Sequence, residues 1–208
     1  MKKLMMMMAL AAFCLTTNAQ NSRHEVGTFT VQPMAGLSVG SMGGTVTYYM
    51  NANQQNIGIE DEMRLGFTAG AEAEYYINDW FSATAGINYT QQGWRIKEKN
   101  SGDKFNQNLD YLNIPVMANF YVLKGFALKI GVQPGFLLNA KYDGHDNKKG
   151  YESFNFSIPF GLSYEFANGI TLDWRTMIAV TRANKNSTSE DKYYSHCAWL
   201  TVGYKFSL

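Results

Sequence analysis

Eight ionisable side chains sit on the polar faces of stretches that alternate with period two, and their charges cancel. Arg64, Lys129, Arg175 and Lys205 stand against Glu72, Glu74, Glu165 and Asp173. In a tight enclosed space such groups must pair, because desolvation is otherwise costly. Catalysis would need other partners. Histidine occurs at His24, His145 and His196. Ser195 precedes His196, but adjacent strand residues point to opposite faces and cannot form a nucleophile–base pair. Asp143 and Asp146 flank His145, a pattern able to bind a metal but read here as a solvated turn. The chain has no phosphate-cradling glycine loop, no Cys–His zinc spacing and no EF-hand pattern. We therefore expect no enzyme, no catalytic or cofactor-binding residue, no metal and no cofactor.

The elements that carry these residues are strands. Strand one, about 27–41, puts Phe29, Val31, Pro33, Ala35, Leu37 and Val39 on one side. The same alternation marks strands at about 64–77, 80–95, 109–122, 126–140, 153–166 and 170–183. The last opposes Tyr194, His196, Ala198, Leu200, Val202, Tyr204 and Phe206 to Ser195, Cys197, Trp199, Thr201, Gly203 and Lys205. Turns at 78–79, 124–125 and 167–169 are short, and Asn168-Gly169 is a strong hairpin signal. Loops at about 42–63, 97–108, 141–152 and 184–192 are long and polar. Alternation of short turns with long loops is the asymmetry of an outer-membrane barrel.

The first residues read as an export address. Lys2 and Lys3 precede the apolar run Leu4–Leu15, and Thr17-Asn18-Ala19 supplies small residues for cleavage. We expect a signal peptide over 1–19 and one barrel domain over 20–208. Cys14 follows Phe13, where lipid attachment wants a small residue. Cys197 is then the one cysteine of the mature chain, and its parity places it inside the barrel. No run approaches the length of a transmembrane helix. A net charge of +1 implies no nucleic-acid partner.

Each strand has one continuous apolar face that must be buried. A soluble barrel would turn it inward and line its outer face with Lys and Glu. Here the polar face is mostly Gly, Ser, Thr, Asn and Gln, which suits a crowded interior. No apolar face carries a charge at its centre. Tyr75, Phe81, Phe120, Phe126, Tyr164, Phe166, Tyr204 and Phe206 gather near the short turns, as a periplasmic aromatic girdle would. Tyr89, Phe136, Phe154 and Tyr194 help form an outer girdle. The fold class is thus all-β: a transmembrane, up-and-down, antiparallel β-barrel of eight strands in the bacterial outer membrane. Pro33, Pro115, Pro134 and Pro159 fall inside strands. Proline removes a ladder donor, so bulges or kinks are expected there.

The strand Tyr111-Leu112-Asn113-Ile114-Pro115-Val116 resembles the middle hairpin of PorT-like outer-membrane β-barrel proteins, the "porin family" of Bacteroidetes-type bacteria. The run from Lys129 to Leu138, with its spaced glycines, is similar to the second strand of that hairpin. Gly203-Tyr204-Lys205-Phe206 resembles the family's ending. Asn113 replaces the usual acidic residue, and Leu208 the usual terminal aromatic. The resemblance implies a barrel protein with a structural, interaction or secretion-associated role. Eight strands leave an interior just filled by side chains, so the lumen is expected to be polar, salt-bridged and closed. A narrow or gated channel is the alternative, and a lipid-modifying barrel enzyme a third reading. Expected partners are outer-membrane lipid, lipopolysaccharide and the barrel-assembly machinery. Arg95 and Arg182 are placed to meet lipopolysaccharide phosphates or to snorkel at the interface. Asn53–Asn56, Lys97–Asn100, Lys148, Lys149 and Lys185 are external loop positions of the kind that contact partners.

Overall fold

The computed structural model describes residues 25–44, 59–98, 104–185 and 193–208. The expected signal peptide, Cys14, His24, Asn53–Asn56, Lys99 and Asn100 lie outside them. We label the barrel strands in chain order. They are β1 (Phe29–Gly44), β2 (Ile59–Asn78), β3 (Phe81–Glu98), β4 (Lys104–Asn113 and Val116–Leu123) and β5 (Phe126–Tyr142). Then follow β6 (Phe154–Glu165), β7 (Ile170–Ala179) and β8 (Tyr193–Tyr204 and Phe206–Ser207). Every neighbouring pair is antiparallel, and β8 pairs with β1 from Met34–Gly203 to Gly44–Tyr193. The sheet closes into a ring of eight strands. Closure leaves no edge to be desolvated in hydrocarbon. Among the described residues no helix is long and apolar enough to cross a membrane.

The alternation sorts side chains as the period-two pattern demands. Leu37, Phe67, Ile87, Ile130, Leu162, Trp174 and Leu200 are exposed on the outer wall. Thr68, Asn88, Asn119, Gln133, Arg175 and Thr201 are buried inside it. Polar groups therefore form the interior and apolar groups the exterior, the reverse of a soluble protein. The turns bear the expected chemistry. Gly125 and Gly169 take φ +78° and +89° at the short turns, a region open to glycine at no steric cost.

Three expectations about the strands need correction. Strand seven ends at Ala179 rather than near 183, because Val180 and Thr181 both turn their amides to the Phe156 carbonyl. The outer ends of β1 to β4 run further than the alternation predicts, which shortens the loops expected at 42–63 and 97–108. The prolines do not sit at bulges. Register shifts fall elsewhere, at Met63/Thr68, Tyr76/Asn78, Asp110/Tyr111 and Tyr121/Leu123. Each proline instead keeps register: Pro33, Pro134 and Pro159 forfeit the ladder on one side, and Pro115 falls where β4 is unpaired with both neighbours. Pro115 and Pro134 share one gap, between Asn113–Gly135 and Val116–Val132, which divides β4. Pro159 faces a gap between Ile130–Phe160 and Gln133–Ser157. Pro33 faces the gap that divides β8, where Lys205 gives its amide to the Gly169 carbonyl at 2.9 Å. A missing N–H removes one ladder bond but does not require an extra residue.

The barrel is narrow enough for non-adjacent strands to touch. Ser38 Oγ on β1 donates to the Gln91 carbonyl on β3 at 2.6 Å. A methyl group on Gly40 would lie 2.2 Å from the Gly93 carbonyl oxygen. Gly93 holds φ +116° at this contact.

Ile130 lies midway along β5 between the two girdles and is 52% exposed. Ile130→Arg is expected to destabilise the barrel by about 2–4 kcal/mol in vesicles, and Ile130→Leu by under about 1 kcal/mol, read from urea unfolding. Gly40→Val is expected to lower the unfolding midpoint more than Gly27→Val, since a side chain at Gly27 meets nothing within 4 Å and strains only its own φ of +86°, whereas one at Gly40 meets the Gly93 backbone.

Candidate functional site: the filled lumen

Inward-facing side chains of all eight strands meet along the axis at three levels. The middle level joins β2, β5 and β7. Arg175 spans two carboxylates, reaching Glu72 at 2.5 and 2.7 Å and Asp173 at 2.6 and 2.8 Å. Lys129 adds a bond to Asp173 at 2.8 Å and approaches Glu72 at 3.8 Å. Asn88 donates to Glu72 at 3.1 Å, and Arg175 lies 5.5 Å from the Trp199 ring centre. Bidentate bonding of a planar guanidinium fixes geometry as well as charge.

The level at the short-turn end is built around Lys205. Its ammonium reaches Glu74 and Glu165, both at 2.8 Å, and donates to the Tyr76 hydroxyl at 2.9 Å. Tyr121 donates to Glu74 at 2.6 Å, and Ser82 donates to the same oxygen. Asn119 completes the group: its Nδ2 lies 3.1 Å from Glu74, 2.9 Å from Ser82 and 2.5 Å from Thr84, sharing two hydrogens among the three.

The outer level is apolar. Trp94, Leu109, Tyr111, Leu137, Ala140, Tyr151 and Ala183 pack into one buried cluster, with the Trp94 and Tyr151 rings 6.2 Å apart. The loop after β5 makes this possible. It turns at Asp143-Gly144, then drops Tyr151 inward, held by the Tyr151–Asn184 bridge and by Lys185 N bonding the Gly150 carbonyl. The shift between Asp110 and Tyr111 brings both Leu137 and Ala140 to the inner face. Parity alone does not foresee an apolar cap, because it rests on a bulge and on a loop residue.

Of the eight charges read from the sequence, the structure brings seven into the two lower levels. Arg64 stands apart. It lies at the outer end and donates to the Gln92 carbonyl at 2.9 Å, because it stands eight residues along β2 from Glu72, roughly 26 Å of extended strand, in unbroken register with β1. The paired charges thus fill the two lower levels, and at the outer end the apolar cluster sits beside Arg64 and Gln92. Residues not singled out from the sequence are Tyr76, Ser82, Asn119 and Tyr121. Their inward parity was legible, but their convergence on Glu74 required the register.

The eight girdle rings all face outward near the short turns. Phe81 and Phe120 lie 5.2 Å apart, Tyr164 and Phe166 4.8 Å, and Tyr204 and Phe206 4.7 Å. Tyr75 and Phe126 complete the row. Trp80, in the turn itself, joins it by stacking on Phe120. At the outer end Phe136 packs edge-on to Phe154, and Tyr194 stacks on His196.

The polar groups that might do chemistry do not converge. Ser195 points inward and donates to Gln92 at 3.1 Å. His196 points outward, where its Nδ1 accepts from the Ala179 amide at 3.2 Å. Asp143, His145 and Asp146 are exposed in a tight hairpin, and Asp146 accepts from the Lys148 amide. Among the described residues no group of three or more His, Cys, Asp or Glu is placed to hold a metal. Arg95 donates to Asn106 at 2.9 Å and approaches Glu62 at 3.6 Å. Lys104 donates to the same Glu62 carboxylate at 3.2 Å.

Arg175→Met strands Glu72 and Asp173 with one cation between them. It is expected to cost about 3–5 kcal/mol in urea unfolding. Arg175→Met with Glu72→Gln leaves Lys129 and Asp173 balanced and should recover most of that loss.

Residues 18–183 match the family described as outer membrane protein beta-barrel domain. Among solved structures, the attachment invasion locus protein Ail of Yersinia pestis is 14% identical. The match covers 87% of this chain and 99% of Ail at a TM-score of 0.50. The outer membrane protein OprG of Pseudomonas aeruginosa is 14% identical over 88% of this chain and 97% of its own, with a TM-score of 0.49. Neisserial surface protein A is 17% identical over 85% and 95%, with a TM-score of 0.48. At such identity the likeness to Ail is one of fold alone. No curated protein matches the sequence. A closed eight-stranded ring with an apolar exterior, matched over most of its length by one family, places this chain in the outer membrane as a member of the outer membrane β-barrel domain family.

Proposed function

We propose that this barrel is a closed, non-catalytic outer-membrane protein that acts through what its rim presents. The observation that supports this most is the filling of the lumen at three levels by Lys205, by Arg175 and by the Trp94–Tyr151 cap. General diffusion needs a continuous water path, and each level opposes one. The role is structural or interaction-based: membrane integrity, surface contact or assistance to a secretion apparatus. The last follows from the PorT-like hairpin, Tyr111–Val116 and Lys129–Leu138.

In this reading residues 1–19 are a signal peptide cleaved after Ala19. The barrel-assembly machinery then inserts 20–208 as one domain. Lipid surrounds the outer wall, and Arg182, exposed above it, meets lipopolysaccharide phosphates together with Arg95. The two paired lower levels, Arg175 and Lys129 with Glu72 and Asp173, and Lys205 with Glu74 and Glu165, serve as the seal.

Single-channel recording in planar bilayers tests the seal. No steady conductance is expected from the purified protein; a stable large conductance would contradict closure. Orientation is tested in a Cys197→Ala background with a membrane-impermeant maleimide. Lys148→Cys should label on intact cells, whereas Lys124→Cys should label only after the outer membrane is opened. His196→Ala should leave lipid A composition unchanged, and an altered composition would speak for catalysis.

A further inference from the structure

At the outer end β7 and β8 diverge. Their paired register runs from Ile170–Tyr204 to Met177–Cys197 and stops there. Past that rung each strand turns to its other neighbour. On one side Ala179 pairs with Ser157 of β6, and Val180 and Thr181 give their amides to the Phe156 carbonyl at 2.8 and 3.3 Å. Thr181 Oγ1 accepts the Phe156 amide in return at 2.8 Å. On the other side β8 follows β1 through Ser41–His196, Met42–Ser195, Gly43–Tyr194 and Gly44–Tyr193.

A side chain spans the diverging ends. The Ala179 amide donates to Nδ1 of His196 at 3.2 Å. An imidazole nitrogen accepts only when it carries no proton, so this contact requires the neutral ring with its hydrogen on Nε2. A second proton would set one N–H against another. The Ala179 amide would then lose its acceptor in a wall that faces lipid, where an unmet backbone donor is costly.

The surroundings leave the ring to titrate by itself. His196 stacks on Tyr194 of its own strand, with ring centres 6.5 Å apart. On β1 the register sets Ser41 across from it, and Val39–Gly43 holds no ionisable residue. Met177–Val180 of β7 and Phe154–Leu162 of β6 hold none either. Further along the chain from β7 come Arg182, which is exposed, and Lys185, and Glu152 gives its amide to the Ala183 carbonyl. Just inside the seam Met177, Cys197 and Trp199 form one buried cluster.

We propose that His196 is an acid-sensitive clasp: its neutral ring holds the outer ends of β7 and β8 together, and its protonation releases them. The rungs from Met177–Cys197 to Ile170–Tyr204 stay paired, so the release is confined to the rim. The clasp works whether or not the lumen conducts.

The test is nuclear magnetic resonance of the full chain folded in lipid nanodiscs, at about pH 8 and about pH 5, the range over which imidazoles change charge. At the higher pH, nitrogen correlations of the His196 ring should show Nε2 protonated and Nδ1 bare. Going to the lower pH, the hydrogen-exchange protection factor of the Ala179 amide should fall at least about tenfold, while that of Trp174 in mid-strand changes less than about twofold. His196→Asn supplies an amide oxygen near the place of Nδ1 and cannot titrate, so it should keep Ala179 protected at both pH values. His196→Phe should leave Ala179 poorly protected at both. If His196→Phe fails to fold, the unaltered protein and His196→Asn decide the matter between them. A proton on Nδ1 at the higher pH, or equal protection of Ala179 at both pH values in the unaltered protein, would overturn the clasp. An acid-induced loss that persists undiminished in His196→Asn would overturn it too, because another group would then be the sensor.

Discussion

A backbone amide in hydrocarbon has no water to fall back on, and the architecture follows from that fact. Each strand must find partners on both sides, so the sheet has to close. Here the closing seam is the long β1–β8 register, from Met34–Gly203 to Gly44–Tyr193. Once the ring is shut, period two does the rest. Alternate side chains point to lipid and to the axis, so a residue's parity decides its solvent. The prolines are the visible exceptions. Each interrupts the pairing beside it, Pro115 on both sides, and nearby groups are met locally. Ile114 N bonds the Pro134 carbonyl, and Gly86 N bonds that of Pro115.

The same closure makes the lumen a place where charges must satisfy one another. Arg175 and Lys205 each hold two carboxylates at hydrogen-bond distance from different strands. Such buried pairs gain little over apolar packing in net stability, yet breaking one is expensive. Their effect is to fix which inner faces meet. Above them the interior changes character. Trp94 and Tyr151 close the outer end with apolar contact, helped by the approach of Gly40 to Gly93. Charge at the bottom and grease at the top plug one cylinder by two different means.

Much of this was legible in the chain. Parity identified the strands, the inward charges and the outward rings, because alternation survives any uncertainty about strand ends. The lumen was legible only in part. Glu72 and Arg175 are 103 positions apart, so their contact depends on the stagger of the strands. Arg64 has the inward parity of its strand, yet its place eight residues from Glu72 keeps it out of the clusters, since parity gives the face and not the level. The apolar cap was hidden for a related reason: Tyr151 belongs to a loop and Ala140 turns inward only past a bulge. The prolines do mark interruptions of the sheet, but as gaps in register and not as bulges, because a missing donor removes a bond without adding a residue.

The claim beneath all of this is that the greasy faces look out into lipid. Bimane probes at Leu37, Ile130 and Leu162, compared with probes at Thr84 and Ser157, test it most directly in vesicles containing brominated lipid. Strong quenching at the first three and little at the last two is the result this account requires. Quenching confined to Thr84 and Ser157 would mean that the barrel is inside out from the way it is described here.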